Sequence, residues 1–360
     1  MKTQLLFKAA FLLFIIPSIV LSNDNLKGKY NKEKTIKKEF TVNNNALLKI
    51  DNSFGNLDIV TYVGNKISIE VIIKVSGNNE EKVDKKLNAI HVNFDASSSL
   101  VDAKTIFNND NKSWWNWGNN NVSMEINYIV KLPITNSVDL NNDYGSINLD
   151  KLEGKAVISC DYGKITTKEL MAENNVLSFD YTNNSYFEYI NSGKINADYS
   201  GFTVSKTKKL EINADYTTSV VETAEDVHFN CDYGSINIKQ LNNVTGNGDY
   251  LTMRLGDVYK NVNIKGDYGS LKIDQMTANA GNVTIQSDYL GITIGYHPNY
   301  HFNFDINTEY GSLRNAEGFE FTKKHIESSN NYYQGYYGNR SSQNLVKIIS
   351  DYGNVTFKKN

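Results

Sequence analysis

The chain has 360 residues, with 37 basic and 40 acidic side chains and a formal net charge of −3. That balance offers no basic patch, which argues against a nucleic-acid partner. Only 3 prolines stand beside 24 glycines and 23 tyrosines, a mix suited to short strands joined by tight turns.

Lys2 and Lys8 open the chain, and Ala9 to Leu21 forms an apolar core broken only by Pro17 and Ser18. With Val20-Leu21-Ser22 as the cleavage site, residues 1–22 read as a signal peptide and the mature chain starts near Asn23. The apolar stretch is too short to span a membrane comfortably. No second apolar run follows and no Cys stands at the cleavage site, so an exported chain without a transmembrane span or lipid anchor is expected.

Residues 23–135 read as a strand-rich capping section. Leu47 to Ile50, Leu57 to Thr61 and Lys66 to Val75 alternate with period two. Ser53-Phe54-Gly55-Asn56 between the first two resembles a degenerate corner. Asn79 to Ile90 is the helical stretch, with Val83, Leu87 and Ile90 on one face and Glu80 and Glu81 at its positive end. Trp114, Trp115 and Trp117 follow in an Asn- and Gly-rich segment, and Val122 to Leu132 alternates again before Pro133.

From residue 136 one phrase recurs. D-Y-G stands at Asp143-Tyr144-Gly145, Asp161-Tyr162-Gly163, Asp232-Tyr233-Gly234, Asp267-Tyr268-Gly269 and Asp351-Tyr352-Gly353. Looser copies centre on Tyr181, Tyr199, Tyr216, Tyr250, Tyr289 and Tyr310, and successive tyrosines from 144 to 310 lie 17 to 21 residues apart. A fixed period near twenty is the mark of a solenoid, in which each repeat buries its apolar face against its neighbours. The expected fold is all-β: a β-solenoid of 17–21-residue coils over 136–360, behind the capping section with its one short helix.

Counting back from Tyr, positions −4 and −6 are usually apolar and −2 is usually small. After Tyr the apolar positions become +3 and +5, as at Ile236 and Ile238. One residue has been inserted into the alternation, as at a bulge or corner, and Gly at +1 is read as supplying the backbone freedom. By parity Tyr points inward and Asp outward. Cys160 and Cys231 occupy one repeat position four coils apart. At a coil spacing of about 4.8 Å they stand roughly 19 Å apart, beyond the reach of a disulfide, so two free inward-facing thiols are expected. Lys323 to Gln343 interrupts the repeat with Tyr332, Tyr333, Tyr336 and Tyr337, as a degenerate coil or a loop.

Three stretches carry a resemblance: Phe40 to Ile59 with its S-F-G-N-L-D-I, the W-W-N-W segment before a strand ending at Lys131 to Pro133, and the D-Y-G-S-I-N-L coils. Together with the helix near Glu80 they resemble a bacterial family of β-solenoid proteins of unknown function, commonly labelled putative adhesins. The resemblance implies an exported, right-handed β-helix-like solenoid of the cell envelope, in the periplasm, outer membrane or cell surface. It implies no catalytic residues.

An outward Asp row at coil spacing sets carboxylates close together. Either each accepts backbone N–H bonds from its own corner, or a ladder of calcium ions relieves them. The dense glycine-aspartate pattern of calcium-binding rolls is absent, so no metal or cofactor is expected. The tyrosines read as core or corner residues, with an exposed sugar-binding stripe as the alternative. The candidate binding surface is Trp114, Trp115, Trp117, Tyr332, Tyr333, Tyr336 and Tyr337, because aromatics in polar loops tend to recognise partners. Its alternative is packing against the solenoid. His297 and His301 stand at i, i+4, but Pro298 opposes a helix and no third ligand follows.

The acids repeat uniformly, so no coil stands out as an active site, and catalytic motifs are absent. The sequence therefore reads as a non-enzymatic envelope protein that binds a glycan or an envelope protein. A periplasmic scaffold and a polysaccharide-active β-helical enzyme are the alternatives.

Overall fold

The computed structural model describes residues 28–108 and 122–360. The expected signal peptide and Trp114, Trp115 and Trp117 lie outside them. The described residues form 25 strands and one helix, the expected all-β class, in two compact units spanning residues 1–150 and 151–360. The first D-Y-G thus falls in the first unit, although 136 marks the start of the repeat in the sequence.

The first unit holds β1 (Tyr30–Thr41), β2 (Leu47–Ser53), β3 (Leu57–Tyr62), β4 (Lys66–Gly77), α1 (Glu80–Ala89), β5 (Ile90–Ala96), β6 (Leu100–Phe107), β7 (Val122–Pro133), β8 (Ser137–Asp143) and β9 (Ser146–Leu149). β1, β4 and β7 run antiparallel, and β3 lies parallel between β7 and β9. β2 lies parallel between β6 and β8, with β5 antiparallel on β6. The period-two pattern of β4 turns Ile67, Ile69, Val71, Ile73 and Val75 into the core.

Two corners, at Phe54-Gly55 and Tyr144-Gly145, carry the chain between these sets. Phe54 and Tyr144 share the left-handed conformation, φ 66° and 56°, and their rings stack at 5.2 Å. Phe54 therefore fills a tyrosine's place in the corner. The helix is held at both ends. Asn79 Oδ1 accepts from the Lys82 N–H at 3.0 Å, and Lys34 Nζ donates to the Leu87 and Ile90 carbonyls, groups the helix itself leaves unpaired.

In the second unit β10 (Ala156–Asp161), β11 (Lys164–Leu170), β12 (Asn175–Asp180), β13 (Ser185–Asp198), β14 (Gly201–Asp215) and β15 (Thr218–Asp232) lead into β16 (Gly234–Asn247), β17 (Leu251–Val258), β18 (Val262–Met276) and β19 (Val283–Tyr296). Each coil is two strand legs meeting at a tyrosine corner, and each leg pairs in parallel with the same leg of the next coil. Between β13 and β16 the register is constant, with Ala197 opposite Ala214, Ala214 opposite Cys231 and Thr218 opposite Ser235. Cys160 and Cys231 are buried thiols, neither of them in a disulfide. Burial pushes the Cys231 thiol up to about 12, so it stays protonated and unreactive.

At the C-terminal end spatial order departs from chain order. The remaining strands are β20 (Phe302–Glu309), β21 (Leu313–Arg314), β22 (Phe319–Ile326), β23 (Asn330–Tyr337), β24 (Leu345–Asp351) and β25 (Val355–Lys359). β19 pairs with β24 and β25, and β20 lies on the far side of β24. The last D-Y-G coil is therefore inserted between the coils of Tyr289 and Tyr310. The interrupting segment is neither a degenerate coil nor a loose loop. β23 runs antiparallel to β20, and β22 antiparallel to β23. This hairpin packs Phe319 on Phe304 and Tyr337 on Phe302, at ring separations of 5.1 and 5.6 Å. Outer strand β22 exposes Lys323, Lys324 and His325, charges that discourage another strand from pairing there.

Candidate functional site

The feature the repeat builds is a stripe along the corners of the second unit. Each corner tyrosine from 162 to 352, and Tyr310, has φ between 51° and 56°. This left-handed conformation swings Cβ to the outside. The tyrosines are 44–57% exposed, which corrects the inward direction read from parity. Asp and Tyr are two consecutive outward residues, and this pair is the inserted residue of the pattern. The +1 position points inward instead, and Thr217, Leu251 and Leu290 are buried there.

The glycine at +1 also has another role than the one expected of it. The tyrosine carries the positive φ; Gly234 is needed because a Cβ would strike the Thr217 carbonyl of the preceding coil, and Gly353 because a Cβ would strike the Leu290 carbonyl.

The rings form one ladder through Tyr162, Tyr181, Tyr199, Tyr216, Tyr233, Tyr250, Tyr268, Tyr289, Tyr352 and Tyr310. Neighbouring centroids lie 4.5–5.2 Å apart and planes are within 9° of parallel. Each ring hides its faces against its neighbours and turns its edge to solvent.

Beside it runs the Asp row, and its bonding differs from the expected Asx-turn within one corner. From Asp161 to Asp267 each carboxylate serves the next coil. Asp161 Oδ1 accepts from Asp180 N–H at 3.0 Å, Asp198 Oδ1 from Asp215 N–H at 3.1 Å, and Asp232 Oδ1 from Asp249 N–H at 2.8 Å. From Tyr162 to Tyr250 the main-chain N–H of the corner Tyr meanwhile donates to the Asp carbonyl of the following coil, as from Tyr199 to Asp215 at 3.0 Å. The carboxylate thus replaces a carbonyl where the corner breaks the parallel ladder, and this explains an Asp at −1 without a metal. Partial burial, with Asp161 and Asp198 on either side, raises the Asp180 pKa above the usual carboxylate range. The same causes raise Asp288, between Asp267 and Asp351. No group of three metal-ligating side chains occurs among the described residues.

A third row stands at −3, which the sequence reading did not single out. The Asn196 amide donates to Ser178 Oγ at 3.2 Å, Asn213 to Asn196 Oδ1 at 3.3 Å, and Asn247 to Asn230 Oδ1 at 2.9 Å. Along the Asn and Asp rows lies a groove of about 460 Å³, lined among others by Asn196, Asp198, Asn213 and Asp215.

The other candidates are placed apart from this stripe. Tyr333 and Tyr337 are buried in the terminal hairpin, whereas Tyr332 and Tyr336 are partly exposed, Tyr332 with its hydroxyl 3.4 Å from Asp305 Oδ2. His297 accepts the Asn299 N–H at Nδ1 within a turn, as Pro298 foretold. The sequence does hold a signal for the outward tyrosine. Leu251 and Leu290 replace Gly at +1, and an apolar residue there belongs to the buried +3, +5 set.

No known protein family and no curated protein matches the chain. Solved structures do. A putative cell adhesion protein of Clostridium sporogenes is 13% identical over 91% of this chain and 100% of its own, with a TM-score of 0.19. A putative adhesin of Parabacteroides distasonis is 12% identical over 75% and 94%, TM-score 0.31. One of Bacteroides fragilis is 13% identical over 91% and 97%, TM-score 0.25. At such scores none of these likenesses carries weight for what this chain does.

Proposed function

We propose that the chain is an exported, non-catalytic binding protein of the bacterial cell envelope, adhesin-like in role, which meets its partner through the tyrosine–aspartate corner stripe. The observation that supports this is the ladder itself. A tyrosine in the left-handed conformation is disfavoured where Gly or Asn would fit. The repeat keeps tyrosine there and turns ten of them to solvent. Exposed aromatic rows of this extent suit recognition. The uniform corners offer no singular pair of acids for hydrolysis. Residues 1–22 are then the export signal. Trp114, Trp115 and Trp117, with Tyr332 and Tyr336, are secondary contact candidates.

Protease treatment of intact cells, followed by immunoblotting, tests the reading. The chain should be cleaved while a periplasmic control survives. Protection until the outer membrane is breached would exclude adhesion and leave a periplasmic scaffold.

A further inference from the structure

We propose that the corner ladder is a site of oxidative modification: a one-electron oxidant, such as a haem peroxidase working on hydrogen peroxide, couples neighbouring tyrosines into dityrosine and staples one coil to the next. This concerns the rings themselves and holds whatever the stripe binds.

Geometry comes first. Where exposed tyrosines stand singly, coupling waits for two molecules to collide. Here the phenols from Tyr162 to Tyr310 are held in one file, with neighbouring centroids 4.5–5.2 Å apart and planes within 9° of parallel. Fixed at that distance, coupling becomes a step within one molecule. The exposed edge of each ring carries the hydroxyl that gives up hydrogen and an ortho carbon that forms the new bond. The file is unbroken even where chain order is not. Tyr352 stands between Tyr289 and Tyr310, at 4.5 and 4.8 Å.

The chemistry closes on these groups. The oxidant takes one electron from a phenol, and the hydroxyl proton leaves to water, giving a neutral tyrosyl radical. The next phenol refills it with an electron and a proton, so the radical steps between chemically alike sites. Two radicals on neighbouring rings join through their ortho carbons, and each ortho hydrogen moves to its own ring oxygen. Two phenols and one hydrogen peroxide thus give one dityrosine and two waters.

The surroundings suit this. Partial burial, then the hydroxyls of Tyr216 and Tyr250 and the acids Asp232 and Asp249, raise the Tyr233 phenol above its ordinary range. It is neutral at pH 7, so its proton leaves with the electron. The adjacent carboxylates favour the positive charge that electron loss creates. The thiols of Cys160 and Cys231, which could quench a radical by giving up hydrogen, are buried on the inward side. Tyr186 and Tyr259, 40 and 43% exposed, lie off the ladder and measure what exposure alone does.

The test treats the full chain, dilute, with a haem peroxidase and limiting hydrogen peroxide. Dityrosine is followed by its fluorescence, and the links are mapped by mass spectrometry of peptides. Links should join ladder neighbours within one chain, leaving it monomeric on a denaturing gel. Tyr289–Tyr352 and Tyr352–Tyr310 links should appear, and Tyr289–Tyr310 links should not. The stapled chain should melt higher, because each link closes a loop. Two variants remove equal numbers of tyrosines. Phe fits the corner, since Phe54 occupies one at φ 66° and stacks on Tyr144. Replacing Tyr162, Tyr199, Tyr233, Tyr268 and Tyr352 by Phe leaves no neighbouring pair of phenols in the ladder and should cut dityrosine roughly tenfold. Replacing Tyr162, Tyr181, Tyr199, Tyr216 and Tyr233 by Phe leaves the pairs from Tyr250 to Tyr310 and should keep roughly half of it. Equal losses in the two variants, links only between chains, or Tyr186 and Tyr259 linked as readily as the ladder would overturn the proposal. Mapping the unaltered chain decides alone if either variant folds poorly.

Discussion

At the scale of a residue, each corner tyrosine balances strain against stacking. The left-handed conformation costs a non-glycine residue about 1–2 kcal/mol, and an aromatic contact returns about 0.5–1.5 kcal/mol. Tyr216 has two such contacts, at 4.8 and 4.9 Å. Tyr216→Ala loses both and keeps the strain. Tyr216→Gly loses both and releases it, so it should be the more stable variant by about 1 kcal/mol, read from urea midpoints. Equal midpoints would mean that no strain resides at this φ.

The Asp row is a second residue-scale balance. The folded pKa of Asp180 is raised above the ordinary aspartate value of 3.8, so over that window the folded state binds the proton that the unfolded state releases. Stability therefore falls as pH rises through the folded pKa and is regained on mild acidification. Lys194 holds Glu211 below its ordinary range, and that contribution has the opposite sign and is lost at lower pH. Asp180→Asn retains the acceptor for Asp198 N–H. It should raise the melting temperature at pH 7 and flatten the rise on acidification. An Asn variant that melts lower at pH 7 would count against repulsion in the row.

At the scale of an element, the inward +1 position sets a packing limit. Gly234→Ala drives a methyl into the Thr217 carbonyl, which is fixed by the parallel ladder on both sides. A loss of about 1–3 kcal/mol is expected, measured by thermal unfolding; an unchanged midpoint would show that the coils can part there. The strands, the helix at Glu80–Ala89 and the buried thiols were legible because they depend on local period and turn chemistry. The direction of the tyrosines is misread from parity, because a single left-handed residue reverses the face that parity assigns, and only the apolar Leu251 and Leu290 at +1 signal it. Nor was the placing of β24 legible. Tyr310 and Tyr352 lie 42 residues apart, two repeats, which fits a missing coil as well as a hairpin. Chain order cannot show that Asp351 follows Asp288 in space. At the site, the Asp and Tyr rows were visible as repeats, while the Asn row was hidden by the variety at −3, from Ser159 to Lys265.

At the largest scale, what each unit must do is cover its strand edges. In the second unit β24 and β25 fill the gap between β19 and its outer partners, and the hairpin covers β20. Removing residues 345–360 should bare the edges of β19 and β20 and drive self-association, visible as higher-order species in size-exclusion chromatography; a monodisperse product of unchanged melting temperature would argue that the other coils close by themselves. The same arrangement divides assembly in time. Between Tyr199 and Tyr250 a coil meets its partner 17 residues along the chain, but Val283 must wait for Val346. Long loops are slow to close. The middle coils can therefore zip up as soon as they emerge, while the coil of Tyr289 stays half-open until the last strands have been synthesised. A chain stalled or clipped late in synthesis would carry a finished middle and a sticky end, the state in which a quality-control protease or chaperone would find it.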